Sequence, residues 1–284
     1  MESFSYNLSD LKRIPSRPAR SNKGTFGRVL VVGGSHGMSG AAYFSAKAAY
    51  RSGAGLVQIV APFENREIYQ AQLPEAVLTL YNAKEPDERD IMNAVCRATS
   101  IAVGMGLGTS DVSKKILTWT LKAATVPLVI DADALNLIAA NPELWELVPS
   151  KSIITPHPAE MSRISGFSIE QICADIPAVA AKFASERDLI CVLKDANTAV
   201  SDGVRTMINQ SGNSGLATGG SGDVLAGIIA ALIAQGTSLF DAAALGVYIH
   251  GLAGDDASAR LSEYSVIASD IIDSLPSVFK QIRH

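Results

Sequence analysis

The chain has 284 residues, of which 48% are hydrophobic and 18% are charged, and its formal net charge is −4. This composition excludes a disordered chain, which would combine few apolar residues with many uncompensated charges. The acidic balance and the lack of long basic runs argue against a nucleic-acid partner. The longest apolar run, Val224 to Ala234, is too short to cross a membrane.

The cysteines and the N-terminal segment indicate the compartment. Cys96, Cys173 and Cys191 lie far apart and form no Cys-x-x-Cys pair, which is typical of reduced, partly buried thiols. Residues 1–22 are polar, lack the apolar stretch of a signal peptide and are predicted to form an N-terminal arm. We therefore expect a cytoplasmic protein without a membrane partner.

Short apolar runs alternate with helical patterns from residue 28 onward. Strands are predicted at 28–32, 56–60, 101–103, 127–130, 152–155 and 189–193, followed by a hairpin of strands 198–201 and 205–208. Helices are predicted at 41–51, 112–122, 177–187, 223–234 and 239–255. This alternation indicates an α/β fold with a mostly parallel central sheet and helices on both faces. No linker or repeat interrupts it, so residues 1–284 are predicted to form a single domain.

The loops that follow the predicted strands are rich in Gly, Asp, His or Thr. In parallel sheets, ligands bind where such loops leave the carboxyl ends of the strands. The functional site is therefore predicted at this edge of the sheet, among the loops 33–40, 104–109, 131–136, 155–160, 194–198 and 212–223.

The glycine-rich segment 212–223 carries the strongest chemical signal. Its glycines allow successive N–H groups to converge, and the positive end of the following helix adds to them, so an anion site is predicted. Asp223 is expected to stay ionised beside the helix dipole and to act as the base for phosphoryl transfer to a hydroxyl. Alternatively, Asp223 only stabilises the start of the helix. The predicted anion hole consists of Gly219, Gly220, Ser221 and Gly222.

Three further side chains at strand ends could act in the same site. His157 lies between two prolines that fix its loop, Glu160 could bind Mg²⁺ through water, and Lys194 could face a nucleotide. Their structural alternatives are a packed histidine, a carboxylate in the first turn of a helix and a solvated turn lysine. Because the P-loop motif is absent and GxGxG at 104–108 lacks the third glycine of the dinucleotide fingerprint, neither a P-loop ATPase nor a nicotinamide dehydrogenase is favoured.

Six segments occur in an order and spacing typical of one family. They are RVLVVGGSHGMSGAA at 28–42, RSGAGL at 51–56, VGMGLG at 103–108, DADALN at 131–136, TPHPAE at 155–160 and GNSGLATGGSGDVLAG at 212–227. Together they resemble the ADP-dependent NAD(P)H-hydrate dehydratases of the ribokinase-like superfamily. The resemblance implies a ribokinase-like fold and an enzyme that dehydrates the (S)-hydrate of NADH or NADPH while converting ADP to AMP and phosphate.

The resemblance also implies roles for individual residues. Contacts to the hydrated dinucleotide are implied for Ala41, Gly106, His157 and Asp223. Contacts to the AMP part of the nucleotide are implied for Lys194, Asp195, Ala196, Asn197, Thr198 and Gly222. Asp195 stands where relatives usually have glycine, and Ser221 where threonine is common. Mg²⁺ as cofactor and a homotetramer follow from the same resemblance, whereas the N-terminal epimerase domain of many relatives is not expected in a chain of this length.

The implied reaction has a simple chemical logic. Hydroxide leaves poorly because the pKa of water is about 15.7, whereas phosphate, with a second pKa of about 6, leaves readily. Phosphorylation of the ring hydroxyl, with Asp223 as base, would therefore precede elimination. Two other functions remain open at this point: a ribokinase-like kinase of a vitamin precursor or sugar, which releases a stable phosphorylated product, and a non-catalytic nucleotide-binding regulatory module.

Overall fold

A single sheet organises the chain. The computed structural model describes residues 3–150 and 152–282, so the outermost residues of the predicted 1–284 domain and of its arm lie outside the described part. Within that part the strands are β1 (Ser3–Phe4), β2 (Arg28–Val32), β3 (Leu56–Pro62), β4 (Val77–Tyr81), β5 (Ser100–Val103), β6 (Leu128–Ile130), β7 (Ile153–Ile154), β8 (Ile190–Leu193), β9 (Ala199–Ser201) and β10 (Thr206–Ile208).

Helices cover both faces of this sheet. They are α1 (Ser39–Arg51), α2 (Arg66–Gln72), α3 (Glu88–Cys96), α4 (Asp111–Ala123), α5 (Asp133–Ala140), α6 (Pro158–Ser165), α7 (Ile169–Ala174), α8 (Ile176–Arg187), α9 (Ser221–Ala234), α10 (Leu239–Leu261) and α11 (Ala268–Phe279). Every predicted strand and helix is confirmed, with shifted ends: α9 begins at Ser221, two residues before the predicted start, and α10 continues past Asp255 to Leu261. The prediction missed β1, β4, α2, α3, α5, α6, α7 and α11.

The strand order places a switch point in the middle of the sheet. The order is β1-β10-β9-β8-β7-β6-β5-β2-β3-β4, and β9 alone runs antiparallel to its neighbours within the described residues. The chain therefore builds outward from β2 through β3 to β4, returns to β5 beside β2, and builds outward in the other direction. The loops after β2 and β5 diverge at this point, which is where α/β sheets bind ligands.

The strands bury both of their faces, as the continuous apolar runs predict. Alternate residues of β2 point to opposite faces: Val29 and Val31 pack with α1, α9, α10 and α11, whereas Leu30 and Val32 pack with α3 to α8. This two-sided burial explains why the strands read as continuous rather than alternating apolar runs. None of the helices in the described part is long and apolar enough to span a membrane.

The predicted N-terminal arm is packed onto the domain along its first residues. β1 pairs in parallel with β10, and the Tyr6 hydroxyl donates a 2.6 Å hydrogen bond to Oδ1 of Asp241 at the start of α10. Leu11 is buried. The segment therefore closes one end of the sheet.

The cysteines differ from the expectation of partial burial, because Cys96 and Cys173 are exposed and Cys191 is buried.

The close approach of α1 and α9 fixes the start of α9. Ser45 Oγ donates a 2.6 Å hydrogen bond to the backbone carbonyl of Asp223. One turn further on, a Cβ added at Gly227 would lie 2.2 Å from the carbonyl oxygen of Ser45. Because that oxygen belongs to the backbone of α1, it cannot move without shifting the helix. The two helices therefore require glycine at position 227.

We expect Gly227→Ala to destabilise the fold by about 1–3 kcal/mol, because the added methyl group forces α1 and α9 apart. Thermal unfolding followed by circular dichroism measures the loss. Gly40→Ala is the matched control, since a Cβ at this helical position makes only an ordinary contact with Phe44. A Gly227→Ala protein as stable as the Gly40→Ala protein would contradict this packing argument.

Candidate active site

A cavity of about 940 Å³ opens at the carboxyl edge of the sheet. It lies between the ends of β6 and β8, the glycine-rich segment and the facing side of α10. Most of the residues predicted to bind ligands meet in its wall: His157, Glu160, Lys194, Asp195, Ala196, Thr198, Gly220, Ser221, Gly222 and Asp223. The loops in which the sequence predicts a site thus border one cavity at this edge of the sheet, and their role in binding stays a prediction.

The glycine-rich segment and α9 form a cradle at one side of the cavity, here defined as residues 219–223. Gly220 has a φ of +88°, and a Cβ there would lie 2.8 Å from two ring atoms of Phe44. The N–H groups of Gly222 and Asp223 lie in the first turn of α9, where a helix leaves its donors without intrahelical partners. Among the described residues neither donor forms a hydrogen bond to another backbone group. The arrangement suits an anion at the helix N-terminus.

Asp223 is the third residue of α9. It is half-buried and lines the cavity. Burial, followed by the negative charge of Asp131, raises the pKa of Asp223 to about 7, although the Lys194 ammonium opposes the shift. The expectation that the helix dipole keeps this carboxyl fully ionised is therefore wrong, because loss of water and a neighbouring carboxylate outweigh the dipole. A pKa near neutrality is the value that suits a general base.

Lys194 is the centre of a group of buried charges below the cradle. Its ammonium donates a 2.8 Å hydrogen bond to Oδ1 of Asp131 and lies 3.9 Å from Oε2 of Glu160. Burial alone would lower the pKa of Lys194, but the carboxylates of Asp131 and Glu160 raise it on balance, so the lysine stays charged. A Cβ at Gly222 would lie 3.4 Å from Lys194 Nζ, which places the cation directly beneath the first turn of α9. The alternative of a solvated turn lysine is excluded.

His157 begins α6 and caps it through its side chain. Its Nδ1 accepts hydrogen bonds from the backbone N–H groups of Ala159 at 3.1 Å and Glu160 at 3.4 Å, so the ring proton sits on Nε2. Nε2 lies 3.4 Å from Oε1 of Glu160, and 48% of the side chain is exposed. Burial and the charges of Lys194 and Arg163 lower the pKa of His157, which therefore stays neutral. The ring is an exposed, fixed donor beside the cavity and not a packed core residue.

Glu160 fits the water-mediated magnesium binding that the sequence suggests. Its Oε2 accepts a 2.9 Å hydrogen bond from the backbone N–H of His157, which completes the cap of α6. Burial raises the pKa of Glu160 even though Lys194 opposes the shift. Within the described residues no group of three or more His, Cys, Asp or Glu side chains could hold a metal alone. Mg²⁺ near phosphates uses one or two carboxylates together with water and substrate oxygens, so the role of Glu160 in holding the ion stays a prediction.

The remaining predicted residues lie beside the cavity and not in its wall. Ala41 lies in the first turn of α1, and Gly106 lies in the loop after β5. A Cβ at Gly106 would lie 2.9 Å from Cβ of Ala41. Asn197 is exposed in the turn between β8 and β9, and Gly219 is exposed at the start of the cradle. Ala41 and Gly106 thus lie next to each other outside the cavity wall, and their role in binding stays a prediction.

Sequence reasoning assigned no role to several residues of the site. Asp131 is buried at the end of β6, and Ala132, which lines the cavity, has a φ of +48° that is strained for a residue with a Cβ. His250 lines the cavity from α10, outside all of the strand-end loops that drew attention. The sequence signal for Asp131 was present, since DADALN directly follows a strand. His250 sits within a long helical pattern, and nothing in its neighbourhood separates it from core residues.

Comparison with known proteins identifies a family. A family model described as NAD(P)H-hydrate dehydratase matches residues 29–277. A Moorella thermoacetica protein named bifunctional NAD(P)H-hydrate repair enzyme is 38% identical over 281 residues, which cover 95% of this chain and 52% of that protein. The chain thus spans about half the length of this relative. A Neisseria meningitidis protein named ADP-dependent (S)-NAD(P)H-hydrate dehydratase is 41% identical, covering 84% of this chain and 80% of that protein.

Solved structures agree with this match. A ribokinase-like superfamily protein from Enterococcus faecalis superposes with a TM-score of 0.89 at 32% identity, covering 98% of this chain and 96% of that one. A Bacillus subtilis protein named ADP/ATP-dependent NAD(P)H-hydrate dehydratase, co-crystallised with ATP and Mg²⁺, has a TM-score of 0.85 at 27% identity over 99% of both chains. The predicted ribokinase-like α/β fold is therefore confirmed.

The raised pKa of Asp223 predicts a pH-dependent cost to stability. Below the unfolded-state pKa near 3.8 the carboxyl is protonated in both states and costs nothing. Between about 3.8 and about 7 the unfolded chain ionises this carboxyl while the folded protein keeps it protonated, so stability falls across this window and stays reduced above it. We expect Asp223→Asn to stabilise the fold by about 1–3 kcal/mol at pH 8 and by little at pH 4.

Urea denaturation at both pH values measures this difference. Asp111→Asn is the control, because Asp111 also lies in the first turn of a helix, α4, but is exposed. Equal effects of the two substitutions at pH 8 would show that Asp223 is not held in an unfavourable environment.

Proposed function

The chain belongs to the NAD(P)H-hydrate dehydratase family, and on this basis we propose that it dehydrates the (S)-hydrate of NADH or NADPH with conversion of ADP to AMP and phosphate. The observation that carries the proposal is the position of Asp223. A half-buried carboxyl with a pKa of about 7 lies in the first turn of α9, next to the unpaired N–H groups of the cradle. A base and an anion site in this arrangement suit transfer of a phosphoryl group to a hydroxyl.

The nucleotide fits the cavity that the cradle and the 194–198 turn share. The first turn of α9 presents N–H donors to a phosphate, and the Lys194 ammonium lies beneath it as a compensating charge. Asp195, Ala196 and Thr198 line the wall beyond the lysine, where the AMP part would extend. Thr198 Oγ1 donates a 3.1 Å hydrogen bond to the carbonyl of Asp195, which keeps this turn closed although relatives usually have glycine there.

The hydrated ring would lie on the other side of Asp223, at the switch point. Ala41 and Gly106 leave this surface without bulky side chains, and His157 offers its Nε2–H as a donor. Asp223 then lies between the ring hydroxyl and the terminal phosphate of ADP. In this arrangement the hydrated ring lies on one side of the Asp223 carboxyl and ADP on the other. The ring hydroxyl and the terminal phosphate then meet at the carboxyl.

The reaction proceeds in two steps. Asp223 accepts the proton of the ring hydroxyl, whose oxygen bonds to the terminal phosphorus of ADP while the bond from that phosphorus to the oxygen retained by AMP breaks. The ring nitrogen lone pair then expels phosphate with its bonding electrons, and loss of a proton from the adjacent ring carbon restores the dihydronicotinamide. The cradle N–H groups stabilise the charge on the transferred group.

Glu160 would hold Mg²⁺ through water beside the nucleotide phosphates, where the ion supplies positive charge to the transferred group. The cytoplasmic location and the homotetramer expected from the sequence belong to the same proposal. The location draws support from the free thiols of Cys96, Cys173 and Cys191, and the tetramer from the family alone.

The direct test is incubation of the purified protein with hydrated NADH, Mg²⁺ and either ADP or ATP. We expect the absorbance of the dihydronicotinamide to return, with one AMP and one phosphate formed per NADH when ADP is the donor. Phosphorylation of a vitamin precursor or sugar without recovery of NADH would instead identify a kinase. Binding of ADP without turnover of hydrates or alcohols would indicate a regulatory module, and either result would refute the proposal.

Asp223→Asn tests the assigned base. We expect kcat for NADH recovery to fall by about 10²- to 10⁴-fold, because the amide cannot accept the hydroxyl proton. Binding of ADP, measured by calorimetry, should persist, since the substitution removes a negative charge near the phosphates. Asp111→Asn again serves as the control. Near-normal turnover by Asp223→Asn would assign the base elsewhere.

A further inference from the structure

His250 is a buried ionisable group that the proposed reaction does not use. It lies on the face of α10 that lines the cavity, and its Nε2 lies 3.1 Å from Oγ of Ser221, the first residue of α9. Ser221 is also buried, so water does not compete for the hydrogen bond between its hydroxyl and the ring. Burial lowers the pKa of His250 to about 4. The ring is therefore neutral at physiological pH and acts as a hydrogen-bonding group, not as a cation for the phosphates.

The same face of α10 holds the beginning of the glycine-rich segment. Ser211 Oγ donates a 2.9 Å hydrogen bond to the carbonyl of Tyr248, and Asp255 accepts a 2.9 Å hydrogen bond from the N–H of Gly212. Asn213 Nδ2 donates a 2.8 Å hydrogen bond to the other oxygen of Asp255. Residues 211–213 are thus attached to α10 by several bonds, and Ser221 is attached to it through His250.

Between these two attachments the support of the segment decreases toward α9. Leu216 still packs against α10, but a Cβ added at Gly219 would meet nothing within 4 Å, so this part of the cradle lies in open space. The bond from Ser45 holds the start of α9 from the side of α1. The hydrogen bond between His250 and Ser221 holds it from the side of α10, at the first residue of the helix whose donors face the cavity.

We propose that His250 is a positioning residue for the phosphate cradle: through its hydrogen bond to Ser221 it holds the first turn of α9 in the orientation that binds the terminal phosphate of ADP. The inference rests on the proposed function. It predicts a larger effect on the nucleotide than on the hydrated dinucleotide, because only Asp223 of the residues implied to hold the latter lies in the first turn of α9. The others, Ala41, His157 and Gly106, lie on α1, at the start of α6 and in the β5 loop.

The test compares Ser221→Ala, His250→Leu, the double variant and His250→Gln. Each single loss should raise the Kd of ADP, and the KM of ADP with it, by about 3- to 10-fold, the effect of one hydrogen bond. The KM of hydrated NADH should change less than about twofold, and the double variant should match either single variant because both remove the same bond. The glutamine amide can reach the position of Nε2, so His250→Gln should restore most of the ADP affinity.

Ser274→Ala is the matched control, since Ser274 is a buried serine of α11 whose hydroxyl has no hydrogen-bond partner among the described residues. If His250→Leu does not fold, His250→Asn replaces it, because the shorter amide also loses the bond. Ser221→Ala alone would not separate positioning by His250 from direct contact of the hydroxyl with phosphate. The inference fails if Ser221→Ala binds ADP as tightly as Ser274→Ala, if both KM values rise together, or if the single effects add in the double variant. A wild-type protein that binds ADP but recovers no NADH refutes the proposed function and leaves the calorimetric test of His250 intact; one that binds no ADP refutes both.

Discussion

The crowding of carboxylates around one buried ammonium is the constraint on which the site depends. The Lys194 ammonium lies 2.8 Å from Oδ1 of Asp131 and 3.9 Å from Oε2 of Glu160. The negative charge of Asp223 also raises the pKa of Lys194. One cation cannot neutralise three buried anions, so the least stabilised carboxyl takes up a proton near neutrality. That carboxyl is Asp223, for which the helix N-terminus and a single lysine do not offset burial and the charge of Asp131.

The fold makes this arrangement possible by bringing distant segments to one edge. Asp131 follows β6, Glu160 lies beyond β7, and Lys194 follows β8, which are adjacent parallel strands. Their carboxyl ends must therefore meet, and each neighbouring loop delivers one charge. Asp223 comes from a different direction, at the start of α9, which lies across the sheet on the face shared with α1 and α10. The charge group thus joins the sheet to the helical layer.

Glycine and small residues set how closely these layers approach. Gly227 lets α9 touch the backbone of α1, whereas a Cβ at Gly222 would make only an ordinary contact with the Lys194 ammonium. A larger residue at position 227 would push α9, and the cradle at its start, away from α1. The predicted anion site therefore draws on two different uses of glycine: backbone freedom at Gly220 and close approach at Gly227.

The sequence alone determined the α/β architecture, the edge that carries the site, and the pairing of a glycine-rich segment with Asp223. These features follow from local patterns, because continuous apolar strands and glycines before a helix have few structural solutions. Only the tertiary structure decided that the pKa of Asp223 lies near neutrality, that Lys194 is paired with Asp131, and that His250 contacts Ser221. Each of these depends on distances between residues far apart in the chain, and burial and charge act through space and leave no trace in local spacing.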